Sequence, residues 1–431
     1  MSKQKATIFY TLIAPIIVLG LAASFPGCKE DPFKNVELEF WGVFDDSDIY
    51  APLIEAFNKE NKHITINYYK KNYETYEKDL LEAMVTGRGP DIYMLHHTWI
   101  PRYKEKLLGA PSELITIKDF KENFVDVVYH DFLIDGYIAA LPLSVDTLAL
   151  YYNKDIFNTA GIPQPPKTWE EFLNVVEKTT IKDERGNIIQ AGVALGTARN
   201  INRSTDILSL LMIQSGVNMT DLNNTKATFN QSVSLEGGSF YPGQRALEFY
   251  TDFANQLKSV YTWNTRMHYS IDAFYEGKVA MMFNYSYNIP TIRAKSPYLN
   301  FGIAPMPQIK TSTNNIDYAN YWGLTTSINS DASYEAWQFI TWLADKENVQ
   351  QYLEAVKKPT ARRDLVDWQK NDPDLGVFAE QTLTARSWYQ VDNLTIEGYL
   401  ADMIESIVLS EATIEDAINK ATNQVSLLMN R

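Results

Sequence analysis

Cysteine is nearly absent from this chain of 431 residues, which contains a single one, Cys28. No disulfide can therefore form within the chain, and no cysteine-based metal site is expected. Basic residues are also in deficit, with 39 Lys and Arg against 53 Asp and Glu and a formal net charge of −14. Nucleic acids and anionic lipid surfaces require clustered cations, so neither is expected as the main partner of the folded chain.

Long apolar runs are absent except at the N-terminus, and the sequence shows no internal repeat and no low-complexity tract. Lys3 and Lys5 precede the uncharged residues 6–25, and a charged segment followed by an apolar one predicts an export signal. The signal ends at Gly27 and Cys28, which resemble a lipobox, where the cysteine takes a lipid. We expect residues 1–28 to be a signal or lipoprotein segment and residues 29–35 a linker. The alternatives are an uncleaved anchor, since the stretch is long enough to span a bilayer, and a plain cleaved signal.

The length and composition fit a folded protein of two domains. Hydrophobic residues make up 45% of the chain and charged residues 21%. Aromatic residues are frequent at 13%, which leaves some for a recognition surface besides those in the core.

The first part of the chain alternates between strand and helix patterns. Strands are predicted at residues 36–41, 64–69 and 91–95, with amphipathic helices between them, and this order indicates a parallel sheet. In such sheets ligands bind at the carboxyl ends of the strands. This rule selects Asp45 and Asp46 after the first strand, and His96 and Thr98 after the third. A metal at His96 and His97 is not expected, because adjacent residues at a strand end point to opposite faces.

Within residues 136–157, residues 141–152 form a nearly continuous apolar run that contains one acid, Asp146. Such a run predicts a strand that is buried on both faces. A buried carboxylate needs partners, so Asp146 either meets structural donors or lies at the surface of a cleft. The residue pattern alone leaves both possibilities open.

The segment LPLSVDTLALYYNKDIF, followed by PPKTWEEFL, resembles the crossover of the family 1 extracellular solute-binding proteins, the maltose-binding-protein-like lipoproteins of ABC importers. GPDI at residues 89–92 and GKVAM at residues 277–281 also resemble that family. The resemblance implies that residues 141–157 include a hinge strand and that Asp146 contacts a sugar. It also implies that the loop after GKVAM brings Asn284 and a stacking aromatic, Tyr287, to the ligand.

The same resemblance suggests further aromatic contacts from the C-terminal half. Tyr321 and Trp322 lie where family members place residues beside the ligand, with core packing as the alternative. Trp388 precedes the closing helices, which are predicted at residues 394–409 and 414–429. The family often brings an aromatic residue into the cleft at this point. Arg362 and Arg363 either donate to a ligand or pair with the surplus acids, and ion pairs are favoured because exposed arginine is common in acidic chains.

The resemblance implies an α/β, two-lobed periplasmic-binding-protein fold, type II-like. Each lobe is expected to hold a mainly parallel sheet flanked by helices, with hinge strands between the lobes. We assign residues 36–143 and 298–356 to lobe 1, and residues 144–297 and 357–431 to lobe 2.

The implied function is capture of a mono- or oligosaccharide by an extracytoplasmic binding protein, a monomer tethered to the outer face of the membrane that delivers the sugar to an ABC permease. No enzymatic activity, cofactor, metal or nucleic acid is expected. One alternative is a binding protein for a non-sugar solute such as a polyamine or peptide. Another is a secreted carbohydrate-active hydrolase, whose paired carboxylates would be Asp45 or Asp46 with Asp146.

Overall fold

The computed structural model describes residues 35–235 and 238–430, so Cys28 and the N-terminal apolar stretch lie outside the described residues. The described strands are β1 (Val36–Gly42), β2 (Ile64–Lys70), β3 (Ile92–His96), β4 (Leu107–Leu108), β5 (Leu133–Ile134), β6 (Tyr137–Ile138), β7 (Leu141–Pro142), β8 (Asp146–Thr147), β9 (Ala149–Asn153), β10 (Ile181–Lys182), β11 (Ile188–Val193), β12 (Val233–Leu235), β13 (Gly238–Phe240), β14 (Val279–Asn284), β15 (Phe301–Ala304), β16 (Asp317–Asn320), β17 (Trp322–Ser327) and β18 (Ala385–Arg386).

The described helices are α1 (Ser47–Glu60), α2 (Tyr76–Val85), α3 (Ile100–Tyr103), α4 (Ile117–Asn123), α5 (Asp126–Phe132), α6 (Lys154–Thr159), α7 (Trp169–Thr179), α8 (Ser204–Gln214), α9 (Pro242–Asp252), α10 (Ser270–Tyr275), α11 (Ile289–Lys295), α12 (Ser333–Ala344), α13 (Lys346–Val356), α14 (Val366–Gln369), α15 (Gly376–Gln381), α16 (Asn393–Val408) and α17 (Ile414–Met429). Within this described part of the chain, no helix is both long and apolar enough to cross a membrane.

Lobe 1 is built on a sheet with the strand order β2-β1-β3-β17-β4, and β7 pairs with β17. The β1–β2 and β1–β3 pairs are parallel, whereas β17 runs antiparallel to β3, β4 and β7. Buried side chains of β1, β3, α1 and α12 form one hydrophobic core with this sheet. The lobe 1 sheet is therefore mixed, because the late strand β17 inserts beside the early parallel strands.

Lobe 2 is built on a second sheet with the order β10-β11-β14-β9-β15. Only the β11–β14 pair is parallel; β9 runs antiparallel to both β14 and β15, and β10 antiparallel to β11. A second core covers it with α7, α8, α9, α16 and α17. Thr168 caps α7, because its hydroxyl accepts from the Glu171 backbone N–H at 3.2 Å. The expectation that each lobe holds a mainly parallel sheet is wrong, because antiparallel strand pairs outnumber parallel ones in both sheets.

A small third sheet, β18-β16-β8, lies where the chain passes between the two cores. Val145 packs in the lobe 1 core and Leu148 in the lobe 2 core, while Tyr318 and Ala319 mark the return. Asp146 and Asn320 are paired across this sheet. The hinge between the lobes is thus a set of hydrogen-bonded strand segments.

Two of the expected segment boundaries are corrected. Residues 298–316 were assigned to lobe 1, but β15 pairs with β9 in the lobe 2 sheet, so the chain returns at Ala319 instead. Residues 357–365 were assigned to lobe 2, yet Ala361 and Leu365 pack in the lobe 1 core and the next passage reaches Leu375. An apolar strand pattern does not specify which sheet the strand joins, and this caused the first error.

Candidate functional site

A cavity of about 490 Å³ lies between the two lobes and is lined by residues of both. We call it the cleft. Phe44 follows β1, His96 ends β3 and Trp322 begins β17, so lobe 1 contributes strand ends to it. Arg203 and Tyr287 enter it from lobe 2, and Asp146 from the hinge. The volume lies in the range of small-molecule sites.

The lobe 1 side of the cleft is an aromatic wall centred on Trp322. The Trp322 ring is 4.9 Å from that of Trp99, 5.4 Å from Phe44 and 5.1 Å from His96, with edge-to-face angles. Tyr73 lies 6.4 Å from the same ring. These rings hold one another in place and leave apolar faces for a ligand ring to contact.

The lobe 2 side of the cleft is organised around Arg203. Its Nε donates to the Tyr287 hydroxyl at 3.0 Å, and its guanidinium lies 5.6 Å and 5.9 Å from the ring centres of Tyr285 and Tyr287. The two tyrosine rings stack on each other at 5.8 Å. Arg203 has a left-handed backbone, with φ 60°, where it caps α8. Such a conformation costs roughly 1–3 kcal/mol in a non-glycine residue, so contacts with the surrounding structure must hold the Arg203 backbone in it.

Two carboxylates, Asp206 and Glu397, interact electrostatically with the same guanidinium. The Tyr285 hydroxyl donates to Asp206 Oδ2 at 2.8 Å, and Arg203 Nη1 is 3.9 Å from that oxygen. Burial raises the pKa of Asp206. Burial and the charge of Asp206 raise the pKa of Glu397 to about 7. The one arginine of this wall is therefore paired with Asp206, and Glu397 has no ion pair with a described residue.

Asp146 ties the hinge to the loop that carries Tyr287. Its Oδ1 accepts from the backbone N–H groups of Thr147 at 2.9 Å and Ser286 at 3.1 Å, and its Oδ2 accepts from the Ser286 hydroxyl at 2.7 Å. Burial raises the pKa of Asp146 to about 6, although these hydrogen bonds favour the ionised form. The two possibilities left open by the sequence both apply, because Asp146 meets structural donors and also lines the cleft.

His96 is a neutral polar group of the lobe 1 wall. Burial lowers its pKa well below the usual value. Its Nδ1 lies 2.6 Å from the Thr98 hydroxyl and its Nε2 lies 3.2 Å from Asn320 Oδ1. An amide oxygen accepts, so Nε2 carries the proton and Nδ1 accepts from Thr98.

Side chains from the two lobes also meet directly at the cleft. The Trp99 indole N–H donates to Asn393 Oδ1 at 3.1 Å. Arg102 donates to Glu77 at 2.7 Å and lies 3.8 Å from Asp392, which precedes α16 in lobe 2. These contacts join α3 to the start of α16, so the structure shows the lobes closed against each other at this point.

Five predicted ligand-binding residues line the cleft: His96, Asp146, Tyr287, Tyr321 and Trp322. The Tyr321 hydroxyl is occupied, since it donates to Asp131 at 2.7 Å. The ligand contacts of these residues stay predictions.

Asp45 and Asp46 are not among the described residues that line the cleft, and their predicted ligand contacts stay predictions. Asp45 is 8% exposed; it pairs with Lys358 Nζ at 2.6 Å and accepts from the Tyr352 hydroxyl at 2.7 Å. Asp46 points to solvent and pairs with Lys70 at 2.7 Å. The loop after β1 reaches the cleft through Phe44 instead.

Thr98, Asn284 and Trp388 are likewise outside the described lining of the cleft. Thr98 is buried and supports His96. Asn284 is fully buried at the end of β14, and its Oδ1 accepts from the Tyr285 backbone N–H at 2.9 Å. Trp388 packs in the lobe 2 core. Arg362 and Arg363 form the ion pairs that the sequence favoured, with Asp364 and Asp126.

Sequence reasoning missed several lining residues: Arg203, Glu397, Asn320, Asn393, Lys358, Glu77 and Tyr73. Arg203 lies in a loop before a helix and Glu397 on an amphipathic helix, so neither stands in a recognisable motif. Glu397 is half-buried on the first two turns of α16.

The fold and the cleft define a class of two-lobed binding proteins of the periplasmic-binding-protein type. Residues 44–350 match the sequence model of the bacterial extracellular solute-binding protein family, and the chain belongs to that family.

Among relatives, the maltotriose-binding protein of Pyrococcus abyssi is 25% identical over 313 residues, which cover 70% of this chain and 62% of the relative. The sn-glycerol-3-phosphate-binding periplasmic protein of Pectobacterium atrosepticum is 24% identical over 408 residues, covering 88% of this chain and 87% of the relative. The crystal structure of a cyclic alpha-maltosyl-1,6-maltose binding protein from Arthrobacter globiformis is similar with a TM-score of 0.76 at 20% identity, over 91% of this chain and 99% of that one.

Proposed function

We propose that this protein is the extracytoplasmic substrate-binding component of an ABC importer and captures a mono- or oligosaccharide in the cleft. The observation that carries the proposal is the pairing of an aromatic wall around Trp322 with a polar wall around Arg203 and Asp146. A sugar has apolar ring faces that stack on aromatic rings and hydroxyls that bond to carboxylates and amides.

The proposed mechanism is hinge closure about the strand segments β8, β16 and β18. A ligand that contacts both walls stabilises the closed state by the difference between its affinities for the closed and open forms. A membrane permease then receives the sugar from the closed protein. We further propose that the chain is held at the outer face of the membrane through Cys28 or the N-terminal apolar segment.

The structure does not bring together the carboxylate pair that the hydrolase alternative named, Asp45 or Asp46 with Asp146. Glycoside cleavage needs two carboxyl groups that face one bond across a set separation. Asp45 is engaged by Lys358 and Tyr352, and Asp46 by Lys70 at the surface, so neither faces Asp146 across the cleft. We therefore propose binding without chemical conversion.

Isothermal titration calorimetry of the purified protein against a panel of mono- and oligosaccharides tests the proposal. We expect at least one sugar to bind with micromolar affinity or tighter and to be recovered intact by chromatography. Trp322→Ala should weaken that binding strongly, whereas the control Trp368→Ala, a half-exposed tryptophan of α14 outside the cleft lining, should not. Failure of every sugar to bind, or cleavage of the sugar, would refute the proposal; a polyamine or peptide that bound instead would establish the alternative.

A further inference from the structure

The charges that line the cleft are unbalanced in favour of acids. Lys358 is paired with Asp45 at 2.6 Å, and Arg203 lies 3.9 Å from Asp206 and bonds to Tyr287. Both cations in the described lining are thus already engaged by the protein itself. The same lining contains Glu74, Glu77, Asp146 and Glu397.

These four acids differ in their ion pairs, their hydrogen bonds and their exposure to solvent. Glu77 is paired with Arg102 at 2.7 Å, and Asp146 accepts four hydrogen bonds, one from Thr147 and three from residues 286–287. Glu74 is exposed to solvent. Glu397 is half-buried in the cleft lining and forms no ion pair with a described residue, whereas Arg203 is paired with Asp206.

Burial and the neighbouring carboxylate of Asp206 raise the pKa of Glu397, and the side chain of Asn393 on the same helix opposes this. Removing a carboxylate from water without a cation of its own is unfavourable, so a ligand that supplied positive charge there would relieve the cost. An anionic ligand would meet the same acids and find both cations occupied, which is unfavourable.

The aromatic rings of the cleft suit the same kind of ligand. Tyr287 lines the cavity together with Glu397, and Trp99 and Trp322 form the opposite wall. Aromatic faces attract ammonium groups as well as sugar ring faces, by about 0.5–2 kcal/mol depending on desolvation. A saccharide with a basic nitrogen would therefore use both walls.

We propose that Glu397 is a specificity-determining residue that binds the ammonium group of an amine-bearing saccharide, so that the cleft binds such sugars more tightly than their neutral and acidic counterparts. This inference rests on the proposed sugar-binding function and specifies the substrate class of the same site.

The test is calorimetry at pH 7 with three matched series: glucosamine, glucose and glucuronate, each as the monomer and as its β-1,4-linked dimer and trimer. At equal chain length, we expect the amine sugar to bind about tenfold more tightly than the neutral sugar. Charge-assisted hydrogen bonds are stronger than neutral ones by about that factor in affinity. The acidic form should bind more weakly than the neutral form.

Variants at position 397 test whether this preference depends on Glu397. Glu397→Gln should reduce the amine-to-neutral affinity ratio to about one, and Glu397→Asp should restore part of it. Glu354→Gln removes the same charge from an exposed position of α13 outside the cleft lining and should leave the ratio unchanged. Thermal unfolding of each variant monitors whether it is folded.

Equal or tighter binding of the neutral or acidic form would overturn the inference, and so would a preference that survives Glu397→Gln. If other saccharides bind but no member of these series does, the inference is wrong and the proposed function stands. If no saccharide of any charge binds, the proposed function fails and the inference falls with it.

Discussion

Replacing Asp146 by Asn should abolish a specific part of the pH dependence of stability. The folded protein raises the pKa of Asp146 from 3.8 to about 6, chiefly through burial. Between these two values the folded state binds the proton more tightly than the unfolded state does. The free energy of unfolding therefore falls as the pH rises from about 4 to about 6, and this contribution is constant above that.

The magnitude follows from the size of the shift. A difference of about two units corresponds to about 3 kcal/mol, since each unit is worth about 1.4 kcal/mol. The Asn side chain resembles the protonated acid: its oxygen can accept from the Ser286 backbone N–H while its NH₂ group donates to the Ser286 hydroxyl. Asp146→Asn should therefore keep the loop in place and lose the pH-dependent contribution.

Urea unfolding of the wild type and the variant at intervals between pH 4.5 and 8 measures the difference. The gap between the two unfolding free energies should change by roughly 2–3 kcal/mol over this range, with the variant gaining relative to the wild type as the pH rises. Asp331→Asn, an exposed acid before α12, is the control and should show no such change. A gap that stays constant with pH would refute the claim that burial at the hinge raises the pKa of Asp146.

Four further outcomes are expected. Tyr287→Ala should weaken sugar binding by about 1–3 kcal/mol in calorimetry if the ring stacks on the ligand, and an unchanged affinity would make it a packing residue. Asp317→Asn should remove a loss of stability that the wild type shows between pH 4 and 7, because burial raises the pKa of Asp317 to about 7; parallel urea profiles would contradict this. Trp99→Phe removes the donor to Asn393 across the cleft and should increase the rate of ligand release several-fold in stopped-flow measurements, with an unchanged rate excluding a closing role. Cys28→Ser should release the protein from membranes if the lipobox is processed, whereas retention in the membrane fraction would indicate an uncleaved anchor.

The sequence predicted elements whose pattern is local. The closing helices were expected at residues 394–409 and 414–429, and the structure has Asn393–Val408 and Ile414–Met429. The strands at the start of lobe 1 lie within a residue or two of their predicted bounds, because apolar periodicity and the glycines at 87 and 89 mark them. The family resemblance correctly implied the two-lobed fold.

Features that depend on distant parts of the chain were not predictable in this way. Asp45 was expected to meet ligand, but its partner Lys358 is 313 residues away and nothing near Asp45 indicates the pair. Strand β15 was assigned to the wrong lobe because its partner β9 is far away in sequence. Arg203, just before α8, and Glu397, on α16, enter the same wall of the cleft only when these two helices pack together. Neither residue therefore stands in a local pattern that predicts its role.

The aromatic wall has a practical consequence. Of the nine tryptophans in the chain, Trp99 and Trp322 lie in the cleft with their rings 4.9 Å apart, whereas Trp263 and Trp337 are sealed in the two cores. Indole emission responds to the polarity around the ring, so solute capture should alter the light from the cleft pair against a steady background from the buried ones. The protein thus contains its own label-free optical indicator of occupancy.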